Sequence, residues 1–500
     1  MNSHDIYLIS PQIAMAILAA VIVVIDLFIN DKRLVSATAI LGLAAPLTLT
    51  LILWFDAPDD NIGLFGALVV DKFALFFQVL FVGVGALVLL AGTKYQERFE
   101  GFRGEFVALM LFSLTGMMLL ASARELITMY VALELISLPA AALIAWLRDD
   151  RSSEAGLKFL LMSAISSALL LFGLVFIYGF TGSTFFSEIV ARIADMQATG
   201  VLSADEPFGS YALMFGIVLL MLGLAFKLSA VPSQMWVPDI YEGSPTPVAA
   251  FLSVASKAAG FAIVLRLIYA ALPDAQVSMD TGNLFAVLAA ASMTVGNLLA
   301  IRQTNIKRLL GYSTIAQAGY IMVGVAAVAA SSEGGGNASG GPQGVLFYLM
   351  GYGFTNLAVF FAIIAITNRT GNDMISGFAG MAKRSPLFAG LLTIGLLSLL
   401  GFPPTVGFMG KAFIFSSAVN SGLLWLAVVG MVNSAASAYY YLRIVRTMYL
   451  DDADDEEKIR GDIPVTLSTG LTATGVIVLG VAPWFLLKFA EVAVESLAIG

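Results

Sequence analysis

The sequence predicts an all-α polytopic membrane protein of fourteen transmembrane helices, and three observations carry that prediction. Of 500 residues, 59% are hydrophobic and only 12% charged, where a soluble domain carries about 25% charge. Mean hydropathy over the chain is +0.91. Apolar runs follow one another with few breaks, and a hydrocarbon core of roughly 30 Å takes about 20 residues of helix at 1.5 Å apiece. In chain order the runs are 7–29, 34–55, 69–92, 105–122, 125–147, 155–181, 209–240, 246–272, 283–301, 307–330, 343–367, 386–419, 422–448 and 465–489. The longest polar stretch between them, 182–208, is too short to fold alone, so residues 1–500 read as a single integral membrane domain.

The first run reads as a retained span rather than a signal sequence, because no Lys or Arg precedes it and Lys32 and Arg33 follow it. Basic residues then alternate between connections: Lys94, Arg98 and Arg103 on one side, none in 56–68 and a lone Arg124 or Arg192 on the other, then Arg148 and Arg151. Arg302, Lys307 and Arg308, then Arg369, Lys383 and Arg384, then Arg443, Arg446, Lys458 and Arg460 fall on the side of Lys32. The positive-inside rule makes that side cytoplasmic and puts both termini outside. Ser331–Gly344 reads as a flexible glycine-rich connection and residues 451–460 as an acidic, solvated cytoplasmic loop.

With no cysteine and a single histidine, His4, the chain has no ligands for an iron–sulfur cluster, a thiolate zinc site or a bis-histidine haem, so it carries no electrons itself. The formal charge of −8 comes largely from the run Asp451–Glu457, and nothing in it points to nucleic acid.

Two runs, 209–240 and 386–419, are longer than a straight span needs. The first contains Pro232 and Pro238, the second Pro403 and Pro404, and proline removes an amide donor and clashes with the preceding turn. Both are expected to unwind there. Each long run has an ordinary helix on either side, and the two copies of this rhythm are five spans apart. An odd offset makes the repeat inverted, and broken helices at matching places in inverted halves point to an ion site. An ordinary proline kink is the plainer alternative.

Charge at depth sharpens the picture, since even a mild insertion scale charges about 2.5–3.5 kcal/mol for Lys or Asp at a helix centre. Lys257 lies mid-run in PVAAFLSVASKAAGFAIVLRLIYA, Lys227 five residues before Pro232, Lys411 seven after Pro404, and Glu134 ten residues into the fifth run. Lys158 and Lys307 lie near run ends, where a structural ion pair or a side chain snorkelling to the interface explains them equally well. Burial disfavours the charged form of a lysine while a nearby carboxylate favours it, so a lysine between those pulls can load and release a proton. Glu134 is expected to control Lys227 in this way. A metal-ion site would want clustered oxygens. The chain has no Gly-x-x-x-x-Gly-Lys-[Ser/Thr] loop, so the energy must come from partners.

At these residues the sequence resembles the antiporter-like membrane subunits of respiratory complex I, the bacterial NADH-quinone oxidoreductase. The stretches that carry the resemblance are VALELISLPAAAL around Glu134, KLSAVPSQMWVPDIYEGSPTPVAAFLSVASKAAGF from Lys227 through Lys257, RQTNIKRLLGYSTIAQAGY around Lys307, and LLSLLGFPPTVGFMGKAFIF past Lys411. The resemblance implies fourteen helices, two inverted five-helix repeats (approximately 105–272 and 283–448), discontinuous helices seven and twelve, and a proton channel driven by quinone reduction elsewhere in the complex. It implies proton-transfer roles for Glu134, Lys158, Lys227, Lys257, Lys307 and Lys411, with helix breaks at Pro232, Pro403 and Pro404. The sister branches L and M usually show histidine where Lys257 stands, and L adds a long lateral helix for which this chain has no room, so the N branch fits better. Related chains can carry histidine after Pro232; here the residues are Ser233, Gln234, Met235 and Trp236, so Gln234 or water would have to bridge Lys227 and Lys257. The resemblance further implies a bacterial inner membrane, no cofactor on this chain, NADH, FMN, iron–sulfur clusters and quinone on other subunits, and neighbours of types M, K, J and A. Two other readings compete: a subunit of a multi-subunit cation/proton antiporter, and a scaffold without transport.

Overall fold

The computed structural model describes residues 3–29, 32–56, 61–99, 101–199, 207–271, 275–330, 340–453 and 457–499. Within them the protein is a nearly all-helical, polytopic membrane-type bundle; β1 (Ile62–Gly63) and β2 (Leu68–Val69) form one small antiparallel pair. Twelve helices among the described residues are long and apolar enough to cross a membrane. The first run holds α1 (Ser3–Leu8) and α2 (Ser10–Phe28), parted just before Pro11, whose ring suits a first helical turn. Then come α3 (Lys32–Gly42), α4 (Ala44–Asp56) and α5 (Lys72–Gly92), the last capped by Asp71, whose carboxylate accepts from the Ala74 amide at 2.8 Å.

The next group is α6 (Arg103–Ser122), α7 (Leu126–Ile144) and α8 (Asp150–Thr181), which Gly182 ends at φ 69°. α9 (Phe186–Ala198) occupies the long polar stretch and buries Phe186, Ile189 and Ile193 along one stripe. The seventh run is α10 (Pro207–Leu228) and α11 (Trp236–Gly243), with 229–235 non-helical between them. The eighth is α12 (Thr246–Phe251), a π-helical turn over Leu252–Ser256, and α13 (Lys257–Ala270).

α14 (Ala275–Ile301), α15 (Ile306–Ala330), α16 (Gly340–Thr370) and the short α17 (Met381–Arg384) lead to the twelfth run, which is two fifteen-residue helices, α18 (Pro386–Leu400) and α19 (Val406–Asn420). α20 (Leu424–Leu450), α21 (Ile463–Val481) and α22 (Trp484–Ile499) complete the chain. The last run, expected as one helix over 465–489, is therefore two. Pro483 has no amide to continue α21, and its carbonyl instead starts α22 by accepting from Leu487 at 2.9 Å. Of the glycine-rich connection, 331–339 lie outside the described residues and Gly340–Gly344 already belong to α16; of the acidic loop, 454–456 lie outside them.

α13, α15 and α16 are buried nearly all round, whereas α2, α8 and α21 expose much of their surface. A helix apolar on all sides belongs in the middle of a bundle, and the titratable groups of interest sit on or against that middle.

Candidate functional site

α8 and α10 run antiparallel in close contact: a Cβ on Gly223 would lie 2.5 Å from the Leu170 Cβ, and the Ser166 hydroxyl donates to the Gly223 carbonyl at 2.8 Å. That approach brings the short Ser163 side chain within 3.4 Å of Lys227, which is 7% exposed at the last turn of α10. The Lys227 ammonium donates to Ser163 and to Ser137 of α7, whose own hydroxyl donates to the Leu133 carbonyl at 2.5 Å. Glu134, three residues before Ser137, accepts a hydrogen bond from Ser167 of α8. Glu134 and Lys227 thus each engage serines of α7 and α8, and among the described residues they form no direct ion pair.

Lys257 opens α13 immediately after the π turn and is 1% exposed. Its Nζ donates to the Thr314 carbonyl at 2.7 Å and stands 5.8 Å from the Tyr352 ring centre, while the Thr314 and Tyr352 hydroxyls meet at 2.7 Å. Gln234 has no hydrogen bond to Lys227 or Lys257 among the described residues; its Oε1 is buried with no partner among them, as are Trp236 Nε1 at the start of α11 and Ser244 Oγ at its end.

Lys158 and Lys307 belong to ion pairs at one end of the bundle. Half-exposed Lys158 lies 2.7 Å from Glu154 and 3.1 Å from Asp239. Arg308 of α15 reaches both Asp239 (2.6 Å) and Glu242 (2.9 Å), and Arg151 of α8 reaches Glu242 at 2.7 Å. α11, the short segment beyond the first break, is thereby tied to α8 and α15. Lys307 is buried, 3.0 Å from Asp373 and 3.3 Å from the Ser244 carbonyl.

At the second break Gly401 adopts φ 89° and the backbones meet tightly, a Cβ on Gly407 falling 1.9 Å from the Ser398 carbonyl oxygen. Lys411, 5% exposed, turns back from α19 to the end of α18 and donates to the carbonyls of Leu399 (3.0 Å) and Leu400 (2.9 Å) and to the Ser434 hydroxyl (2.9 Å). Gln317 shares the Leu399 carbonyl at 2.9 Å, accepts from Tyr348 and reaches the Tyr441 hydroxyl at 3.4 Å, which meets Ser313 at 2.5 Å. Ser313, Thr314 and Gln317 lie on consecutive turns of α15, so one polar seam borders both Lys257 and Lys411. Ser, Thr, Gln and Tyr at helical spacing in GYSTIAQAGY are the sequence signal for this seam, which reasoning from charge alone missed.

Also missed was a buried ion pair between Asp71 and Arg266, bonded twice at 2.9 Å with both side chains at most 4% exposed. Arg266 Nε donates to the Ala121 carbonyl at 2.9 Å. Its only trace in the sequence is an arginine near the end of a span. Among the described residues no group of three or more His, Cys, Asp or Glu is placed to hold a metal ion.

All six titratable residues of interest fall inside residues 123–437, which match a family model described as NADH:quinone oxidoreductase/Mrp antiporter, transmembrane. Subunit N of NADH-quinone oxidoreductase from Dehalococcoides mccartyi is 43% identical over 487 residues, covering 97% of this chain and 98% of that protein. This chain belongs to the NADH-quinone oxidoreductase subunit N family. The subunit N of Heliobacterium modesticaldum is 40% identical, with 94% of each chain covered. Among solved structures, a chain of respiratory complex I from Thermus thermophilus with bound aureothin superposes with a TM-score of 0.77 at 29% identity, covering 96% of this subunit N family member and 99% of that chain. A chain of the Mrp complex from Dietzia gives 0.82 at 20% identity, a likeness of fold alone.

Proposed function

We propose that this chain is a proton-translocating membrane-arm subunit of an NADH-quinone oxidoreductase, passing protons through Glu134, Lys158, Lys227, Lys257, Lys307 and Lys411 while quinone is reduced elsewhere in the complex. The observation that carries the reading is the setting of Lys227, Lys257 and Lys411: each is buried and bonded to hydroxyls or carbonyls, with no carboxylate in contact among the described residues. Such groups hold an ammonium without cancelling its charge, so the bonds can be exchanged as a proton passes. Gln234 Oε1 and Trp236 Nε1 are buried polar atoms at the start of α11, next to the first break, and a polar site of that kind suits a bridging water. Moving a proton outward against 100 mV costs about 2.3 kcal/mol, supplied by partner subunits that hold NADH, FMN, the iron–sulfur clusters and quinone.

In this reading the chain has fourteen transmembrane helices, with α10 and α11 as the discontinuous seventh and α18 and α19 as the discontinuous twelfth, in inverted repeats over about 105–272 and 283–448. It sits in a bacterial plasma membrane with both termini periplasmic and 451–460 cytoplasmic, next to an M-type subunit and small K, J and A subunits. The family model's description also names the Mrp antiporter, which favours a cation/proton antiporter subunit as the second reading; the relatives at 38–43% identity favour the first.

The test is Lys227→Ala in the assembled complex, reconstituted in vesicles. NADH-driven proton uptake is expected to collapse. Unchanged pumping and quinone reduction with the complex intact would refute the proton file, and Na⁺ exchange without an electron donor would favour the antiporter.

A further inference from the structure

Lys411 differs from the other buried lysines in how its nitrogen is surrounded. At the end of α18 the Gly401 amide closes onto Leu397 and Ser398, and the Phe402 amide onto Leu397, so the carbonyls of Leu399 and Leu400 take no backbone amide of their own helix, and Leu399 divides its lone pairs between Gln317 Nε2 at 2.9 Å and Lys411. The negative end of the helix dipole gathers at the same place. Ser434 Oγ donates to Leu400 at 3.0 Å, which turns its lone pairs toward Lys411. The three oxygens stand 2.9–3.0 Å from Nζ, and the Tyr320 ring centre lies 4.4 Å away on its π face.

We propose that this cradle is a binding site for a monovalent ammonium-type cation, which the chain fills with its own tethered Lys411 side chain. The set matches three N–H donors aimed at three acceptors; a hard metal cation asks for about six oxygens. Phe402, Pro403 and Pro404 at the break are exposed in this chain. The inference extends the proton-file reading to the second break: while Lys411 sits in the cradle, a free cation cannot.

Lys411→Ala keeps Cβ and removes three carbons and the nitrogen, the outline of n-propylammonium. The experiment measures equilibrium binding of radiolabelled n-propylammonium to the whole complex carrying K411A, beside the wild-type complex, and NADH-driven pumping with and without the amine. Saturable binding by K411A and none by wild type is expected, weakened about tenfold or more when S434A removes one charge-assisted bond. Bulky tert-butylammonium should not compete, and n-propylammonium should return part of the lost pumping.

An assembled K411A complex with no saturable binding overturns the cradle, even where pumping is lost as the proton file requires. Full pumping by K411A without amine counts against Lys411 in the file, while the binding result still decides the cradle. If K411A assembles only when cells are supplied with n-propylammonium the cradle stands; if the amine does not restore assembly, it falls.

Discussion

The Asp71–Arg266 pair offers a quantitative test of what anchors α13, the helix that begins with Lys257. Arg266 lies nine residues further along, about 13 Å at 1.5 Å per residue, and ties that end of the helix to the cap of α5 and to the Ala121 carbonyl of α6. Asp71→Leu strands a buried guanidinium, which costs about 3–5 kcal/mol. It also removes the cap on the Ala74 amide, worth about 1 kcal/mol. The double variant Asp71→Leu/Arg266→Leu leaves no buried charge. Its cost reduces to the lost cap and an unpaired Ala121 carbonyl, roughly 2 kcal/mol together. The double variant should therefore be more stable than the single by about 2–4 kcal/mol, read as the difference in denaturant midpoint of the complex in one lipid composition. A double variant no more stable than Asp71→Leu would refute the argument, because the damage would then come from reshaped packing and not from a stranded charge.

Two further outcomes follow from the helix contacts. Ser163→Ala removes one hydroxyl 3.4 Å from Lys227; a bond of that length is worth no more than an ordinary hydrogen bond, about 0.5–1.5 kcal/mol, so NADH-driven proton uptake should slow while native-gel assembly is unchanged. Gly407→Ala places a methyl group 1.9 Å from the Ser398 carbonyl oxygen, within the crossing of α18 and α19, whereas Gly470→Ala faces open space. The first should deplete assembled complex on a native gel and the second should not.

The membrane helices were legible because apolar length is a one-dimensional property, and the deep lysines because a charge within an apolar run stands out locally. Pro483 was overlooked as a divider for the opposite reason: its run is apolar on both sides, and hydropathy does not register a missing amide. Ser137, Ser163 and Gln317 were invisible to an argument from charge, since hydroxyl and amide side chains can satisfy themselves within a helix at little cost.

The chain by itself determined that this is a bundle of membrane helices with lysines and a glutamate at depth, because burial of apolar surface and exclusion of charge act residue by residue. Which groups face those charges was decided only by tertiary packing. Asp71 and Arg266 are 195 residues apart in the chain, and Lys411 meets the carbonyls at the end of α18 only because a glycine turn and a close crossing of two half-helices bring them together. Hydrogen bonds act over about 3 Å, so the partners of a buried charge depend on how helices cross, which no local pattern records.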